Sequence, residues 1–125
     1  MSNFLNISSL DHTWLLDLDG TILKHNGYLI DGHDTLLPDA NSFLASIPPN
    51  DTIIFLTSRK LEYKLQTEQF LKDNNIRYNY IIFEVPYGER ILVNDLKPSG
   101  LTMSVAINVT RDKPSFPMIA IDKNL

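Results

Sequence analysis

Residues 13–21 read TWLLDLDGT, a short apolar run that leads into two aspartates, a glycine and a threonine. An apolar run without strict alternation is typical of a strand that is covered on both faces of a parallel sheet. Because alternate side chains of a strand point the same way, Asp17 and Asp19 can converge on one site beyond its end. Gly20 lets the backbone approach a ligand closely. A solvated turn also favours Asp and Gly, so this segment alone leaves both interpretations open.

Outward from this segment, apolar runs alternate with stretches of helical spacing. The runs that predict strands are Thr52–Leu56, Tyr80–Phe83, Ile91–Val93, Ser104–Val109 and Met118–Ile121. Two helices are predicted, over Pro38–Ile47 with Asp39 as its cap and over Lys60–Asn74. The expected apolar face of the second helix consists of Leu61, Leu65, Phe70 and Leu71. The order strand–helix–strand predicts an α/β fold with a mostly parallel sheet and helices on both of its faces.

The segment Lys24–Leu36 differs from the rest of the chain because Gly27 and Gly32 punctuate it. Such punctuation predicts a β-hairpin flap, with Tyr28–Ile30 as one of its arms.

The composition is that of a small acidic globular protein. Its 125 residues are 43% hydrophobic, include no cysteine and carry a formal net charge of −4. The lack of cysteine excludes disulfide frameworks, zinc–thiolate sites and thiol nucleophiles. The negative charge gives no general attraction to nucleic acid or to an anionic membrane, and no apolar run approaches the length of a membrane span. No secretory signal is visible, so we expect one cytoplasmic domain over residues 1–125.

Two further predicted strands also end in polar residues. Thr57, Ser58 and Arg59 follow the second strand and precede the long helix, where a hydroxyl and backbone N–H groups suit a phosphate oxygen. Asp95 follows the apolar run at 91–93 and could bind a metal ion. Each of these signals has an ordinary alternative, since Thr and Ser cap helices, Arg is common on surfaces and Asp caps turns. Three strand ends with polar residues in one small sheet nevertheless indicate a single site.

Three segments together resemble motifs of the haloacid dehalogenase (HAD) superfamily of phosphatases and phosphotransferases. WLLDLDGTIL (residues 14–23) resembles the first motif, IIFLTSR (53–59) the second and ILVND (91–95) the fourth. The stretches at 26–44 and 78–95 are similar to small phosphatase-like members associated with sugar-phosphate and capsular polysaccharide pathways. The resemblance implies a three-layer α/β/α, Rossmann-like fold with a mostly parallel sheet.

The resemblance also implies roles for individual residues in a phosphomonoester hydrolase. Asp17 would attack phosphorus to form an aspartyl-phosphate, and Asp19 would act as general acid and then general base. Mg²⁺ would be the cofactor, bound by Asp17, by the backbone carbonyl of Asp19 and by Asp95. The residues expected to bind phosphate are Gly20, Thr57, Ser58 and Arg59, with backbone N–H groups near Leu18, Asp19 and Ser58.

The family's third motif, a lysine upstream of the fourth strand, has no counterpart here. The corresponding segment reads FEVPYG (residues 83–88), in which Val85 supplies no charge and Glu84 has the wrong sign. The cations that could replace the lysine are Arg59, Arg90 and Lys97. A smaller departure is Asn94, which stands where the family often has another aspartate. The sequence therefore predicts a slow enzyme, a relocated cation or an inactive relative.

The spacing of the motifs leaves no room for a cap domain. Fewer than forty residues separate Asp19 from Thr57, and fewer than forty separate Thr57 from Asp95. A small substrate needs some lid, so we expect the flap, a second copy of the chain or a large substrate to cover the site.

The leading hypothesis is thus a capless, Mg²⁺-dependent phosphatase acting on a sugar phosphate, with a homo-oligomer as one source of the lid. The alternatives are an inactive phosphate- or Mg²⁺-binding module in a biosynthetic complex, a phosphoacceptor receiver domain, and a phosphatase acting on protein or nucleic acid. In a receiver domain the phosphorylated aspartate follows the third strand, whereas the acidic pair here follows the first predicted strand. No basic or aromatic groove supports the nucleic-acid alternative.

Overall fold

A computed structural model of the chain describes residues 3–125. Its strands are β1 (Phe4–Ile7), β2 (Thr13–Asp17), β3 (Thr52–Leu56), β4 (Tyr80–Ile82) and β5 (Met118–Ile121). Its α-helices are α1 (Gly27–Ile30), α2 (Ala40–Ser46) and α3 (Lys64–Asp73), and a 3₁₀ turn at Leu61–Tyr63 leads into α3.

The strands form two sheets, and the strands of each sheet run parallel. The larger sheet has the order β2-β3-β4, with Trp14 opposite Ile53 and Ile54 opposite Tyr80. The smaller sheet pairs β1 with β5. An α/β fold with mostly parallel strands is confirmed. The carboxyl ends of β2, β3 and β4 consequently lie along one edge of the larger sheet.

The core is built around the central strand β3. Its β-branched and aromatic residues suit a pleated, buried surface, and Ile53 and Phe55 are fully buried. Phe43 of α2 stacks on Phe116 with a centroid distance of 4.6 Å, and Leu71 of α3 is fully buried. Phe43 and Leu71 belong to the same buried cluster as Ile53 and Phe55, so α2 and α3 both pack on the larger sheet.

The two predicted helices are present, with differences in detail. Asp39 lies at the start of α2 with φ of 66°, but its side chain makes no capping hydrogen bond. The face of α3 also differs from the prediction, because Leu65 is 83% exposed while Thr67 is fully buried. Thr67 can be buried because both hydrogen-bonding functions of its hydroxyl are satisfied: it donates to the Tyr63 carbonyl and accepts from Arg59.

The flap at Lys24–Leu36 is closed at its base but is not a β-hairpin. An antiparallel bridge joins Leu23 to Leu36, and the backbone N–H of Lys24 donates to the carbonyl of Thr35. The predicted strand arm at Tyr28–Ile30 is instead the helical turn α1, whose N–H groups bond back to the carbonyls of Asn26 and Gly27.

Two predicted strands do not form. Ile91 and Val93 are 84% and 89% exposed, and neither the 91–93 run nor the 104–109 run pairs with another strand. Without burial or ladder hydrogen bonds, apolar β-branched residues alone do not make a strand. Conversely, β1 was not predicted, because its short apolar stretch lies in a polar N-terminal segment and its partner β5 is more than one hundred positions away.

Among residues 3–125, no helix is long and apolar enough to cross a membrane.

Candidate functional site

The two aspartates of the first motif lie at the carboxyl end of β2. Asp17 is its last residue, and the next N–H, that of Leu18, still donates to the Leu56 carbonyl of β3. Leu18 is fully buried, so alternation turns Asp17 and Asp19 away from the core on the same side. The β2 end thus presents two carboxylates at the edge of the sheet.

Thr57 brings the end of β3 to the same place. Its N–H donates to the Ile82 carbonyl, which continues the pairing with β4, and its side chain is fully buried. The Thr57 hydroxyl donates to Oδ2 of Asp19 at 2.7 Å. The structure therefore brings together Asp19 and Thr57, which are 38 positions apart in the sequence.

Arg59 is the most completely bonded side chain of the site. Its Nε and Nη2 both donate to Oδ1 of Asp19, at 3.0 and 2.8 Å. Its remaining N–H groups bond both carboxylate oxygens of Asp34 and the hydroxyl of Thr67. All five N–H groups of the guanidinium are used, and the residue is only 3% exposed. In this structure Arg59 has no N–H left for the phosphate that it was predicted to bind, and it holds Asp19 instead.

The surroundings of Arg59 keep it charged. Burial alone would lower the pKa of Arg59, but the hydrogen bonds and charges of Asp34 and Asp19 raise it above its ordinary value. The ring of Tyr28 covers the guanidinium, with Cζ 3.9 Å from the ring centroid. Burial raises the pKa of Tyr28, although the positive charge of Arg59 opposes that rise. Because Tyr28 and Asp34 belong to the flap, Arg59 joins the flap to Asp19.

Asp17 faces a different cation. Its Oδ2 accepts from the Thr21 hydroxyl at 2.9 Å, and its Oδ1 accepts from Nη1 of Arg90 at 3.0 Å. The position of the family's third motif supplies no charge, because the side chain of Val85 is apolar; the N–H of Val85 bonds the carbonyl of Thr57. Of the three cations considered from the sequence, Arg90 is the one that reaches Asp17. Arg90 and Asp17 both remain about one-third exposed, so a ligand can approach them.

Ser58 and Gly20 shape the loops around these side chains. The Ser58 hydroxyl donates to the Val85 carbonyl at 2.7 Å, so it braces the segment after β4. Gly20 has φ of +85°, a conformation that other residues rarely adopt. A Cβ at Gly20 would also lie 3.0 Å from Cγ of Arg111, so the glycine permits this close approach.

Two backbone donors near the site remain available. Of the N–H groups predicted to bind phosphate, that of Leu18 is used by the sheet. Within the described residues, the N–H groups of Asp19 and Ser58 donate no hydrogen bond. Two such donors beside a carboxylate pair can hold phosphate oxygens.

The predicted metal site is not assembled in this structure. Asp95 lies in the exposed segment that was expected to be a strand, and its side chain is bonded by the Asn94 amide at 3.3 Å. Residues 3–125 contain no group of three or more acidic or histidine side chains that could hold a metal ion. Asp17 and Asp19 are matched by Arg90 and Arg59 instead.

No protein-family model, curated protein or solved structure matches the chain. The resemblance to the HAD superfamily therefore rests on the three sequence motifs alone.

Sequence reasoning missed two residues of the site. Asp34 holds Arg59 from the flap, and Asp112 binds the loop of the first motif through its N–H to the Gly20 carbonyl at 2.8 Å. Asp34 lies in the flap and belongs to none of the three motifs, and Asp112 follows the run at 104–109, which forms no strand. Together, these contacts leave Asp17 accessible and paired with a cation, while Asp19 is held by a buried arginine and a threonine.

Proposed function

We propose that this chain is a capless HAD-type phosphomonoester hydrolase of the cytoplasm, a three-layer α/β/α core that acts on a sugar phosphate through a phosphorylated aspartate. The observation that supports this most directly is the meeting of the β2 and β3 ends. The Thr57 hydroxyl lies 2.7 Å from Asp19, while Asp17 stays accessible at the same edge.

In the first step, a carboxylate oxygen of Asp17 attacks phosphorus as the bond to the sugar oxygen breaks. A carboxylate that approaches a phosphate dianion meets like-charge repulsion. The guanidinium of Arg90 on the other oxygen reduces that repulsion. The N–H groups of Asp19 and Ser58 bind oxygens of the phosphoryl group as it transfers.

Asp19 moves the proton in both steps. When protonated, it gives its proton to the departing sugar oxygen, and the released carboxylate is stabilised by Arg59. That carboxylate then takes a proton from a water molecule, which attacks phosphorus and releases Asp17 and inorganic phosphate. The Thr57 hydroxyl, which can both donate and accept, stays bonded to Asp19 in either protonation state.

The Mg²⁺ requirement and the metal role of Asp95 stay predictions. The described residues do not form a metal-binding group, so no step above runs through a metal ion. Activity measured with added Mg²⁺ and with a chelator decides whether a metal ion is needed.

The test is turnover of an aryl phosphate and of a panel of sugar phosphates, with Mg²⁺ and with a chelator, by the unaltered chain and by Asp17→Asn. Asp73→Asn is the matched control, because Asp73 is an exposed acid at the end of α3. We expect activity in the unaltered chain and in the control and its loss in Asp17→Asn. Mass spectrometry of acid-quenched protein should show one added phosphoryl group on the peptide that contains Asp17. Equal turnover by Asp17→Asn, or no turnover under any condition, would refute the hydrolase.

A phosphate-binding module without catalysis is the second candidate. It is favoured by the exposed position of Asp95, away from any metal-binding group of the described residues, while the N–H groups of Asp19 and Ser58 stay available for phosphate oxygens. Phosphate binding that protects the chain from unfolding, without turnover of any substrate, would select this candidate.

A further inference from the structure

A cleft of about 480 Å³ lies beside the site, between the flap and the residues that follow β3. It begins at Ser58 and Arg59, directly after Thr57, and so it adjoins the place where the phosphate is proposed to bind. Its size suits one sugar ring with its substituents. Apart from Ser58 and Arg59, the residues that line the cleft have no role in the proposed reaction.

Three tyrosines line part of the cleft. Tyr28 and Tyr63 meet edge to face with their centroids 4.8 Å apart, and Tyr87, which is almost fully exposed, completes this part of the lining. Aromatic rings offer large rigid surfaces to the C–H faces of a sugar. Tyrosine hydroxyls add hydrogen-bonding groups for sugar oxygens.

Cations line another part of the cleft. Lys60 and Arg111 both belong to the lining, and within residues 3–125 neither forms an ion pair. His25 lies in the same lining, and Glu62 contributes the single carboxylate there. Two unmatched cations in the lining of this cleft can be matched by an anionic group of the ligand.

The turn that carries Arg111 is bonded both to the first motif and to the flap. Its neighbour Asp112 donates its N–H to the Gly20 carbonyl at 2.8 Å and accepts from the N–H of His25 at 2.7 Å. Arg111 itself packs over Gly20, with its Cγ only 3.0 Å from the position that a Cβ of residue 20 would take. The turn is closed by the N–H of Lys113 bonding the Thr110 carbonyl. The backbone that carries Arg111 is therefore fixed relative to the first motif and to the flap.

We propose that this cleft binds the part of the substrate that does not react, and that Arg111 together with Lys60 selects phosphorylated sugars that carry a second anionic group. That group is a carboxylate or a second phosphate. The inference rests on the proposed function only in placing the reacting phosphate at Asp17. It deepens that function by narrowing the substrate class.

The test compares three ligands on one ring: glucose 1-phosphate, glucuronic acid 1-phosphate and glucose 1,6-bisphosphate. Calorimetry on the Asp17→Asn chain measures the Kd of each without turnover. We expect at least one of the two doubly anionic ligands to bind about tenfold more tightly than glucose 1-phosphate. Whichever of these two binds more tightly shows whether the second anionic group is a carboxylate or a phosphate. Adding Arg111→Gln should bring the ratio of Kd values close to one. Lys113→Gln removes a charge from the same turn outside the cleft and should keep the ratio.

Equal binding of all three ligands, no binding, or a preference that survives both Arg111→Gln and Lys60→Gln overturns the proposal. Circular dichroism and thermal unfolding of the variants show that they are folded. If the preference is present but the unaltered chain hydrolyses none of the three ligands, the hydrolase fails while the ligand class stands. If the unaltered chain hydrolyses a ligand but shows no preference for a second anionic group, the ligand class fails while the hydrolase stands.

Discussion

Nη1 of Arg90 donates to Oδ1 of Asp17 at 3.0 Å, across 73 positions of sequence. The third-motif position contains no cation, and this ion pair places one on the proposed nucleophile from further along the chain. Because both side chains are about one-third exposed, the pair contributes little to folding. The same exposure leaves the guanidinium accessible to a phosphate. We therefore expect the charge of Arg90 to affect the rate of the proposed reaction more than the free energy of unfolding.

The first prediction separates these two effects with Arg90→Gln. Loss of a cation at a transferring phosphoryl group should lower kcat/KM on the order of 10²–10³-fold. The free energy of unfolding should change by less than about 0.5 kcal/mol, because the pair is exposed. Steady-state kinetics and urea unfolding measure the two quantities.

Lys97→Gln is the control, since Lys97 was considered for the same role from the sequence and makes no contact with Asp17 in the described residues. It should keep full activity. Arg90→Lys should recover part of the loss, because it restores the charge without the planar geometry. Equal activity of Arg90→Gln and the unaltered chain would exclude a catalytic role for Arg90.

The second prediction concerns the buried Arg59. Arg59→Met removes five hydrogen bonds and leaves the carboxylates of Asp19 and Asp34 without their cation. Removing one partner of a buried ionic cluster costs about 3–5 kcal/mol, because the remaining charge stays away from water. Guanidinium unfolding should show this loss. Lys60→Met removes the neighbouring exposed cation and should change stability by less than about 0.5 kcal/mol.

The third prediction concerns pH and Asp51, at the opposite end of β2 and β3. Burial acts to raise the pKa of Asp51, but hydrogen bonds from Trp14 and His12 outweigh it and hold that pKa below the ordinary 3.8. The folded state therefore favours the carboxylate. The stability that this contributes is present above about pH 4 and is lost as pH falls through the folded pKa.

Asp51→Asn should consequently cost about 2 kcal/mol near neutral pH, and the cost should shrink as the pH drops below about 4. Urea unfolding at a series of pH values measures the difference between the two chains. Asp73→Asn, which changes an exposed acid, provides the baseline. A difference that is constant across the series would contradict the assigned cause.

Local sequence pattern was sufficient to predict the central part of the fold. Strand β3 and strand β5 have the predicted bounds, because their apolar runs also find a parallel neighbouring strand to pair with. The contact between Asp19 and Thr57 followed from one geometric rule, that parallel strands place their carboxyl ends at one edge.

The remainder depended on contacts that no local pattern encodes. The apolar run at 91–93 has strand propensity but meets no neighbouring strand, so Asp95 stays away from the site. Arg59 looked like a surface charge or a phosphate ligand because its partner Asp34 comes from the flap, 25 positions away. Long-range partners of this kind decide what a polar side chain does, and a single sequence does not reveal them.

The last prediction tests the division of roles between the two carboxylates. In Asp19→Asn the nucleophile Asp17 is intact, but no group protonates the leaving sugar oxygen or deprotonates water. Turnover of alkyl phosphates should fall on the order of 10²–10⁴-fold. An aryl phosphate has a leaving group that needs no proton, so it should still phosphorylate Asp17, and the aspartyl-phosphate should accumulate.

Asp34→Asn is the matched control, because it removes the other carboxylate charge from Arg59 without affecting proton transfer. It should accumulate no phosphorylated protein. Intact-protein mass spectrometry after acid quench distinguishes the two variants, and a phosphorylated intermediate in both or in neither would reject these assignments.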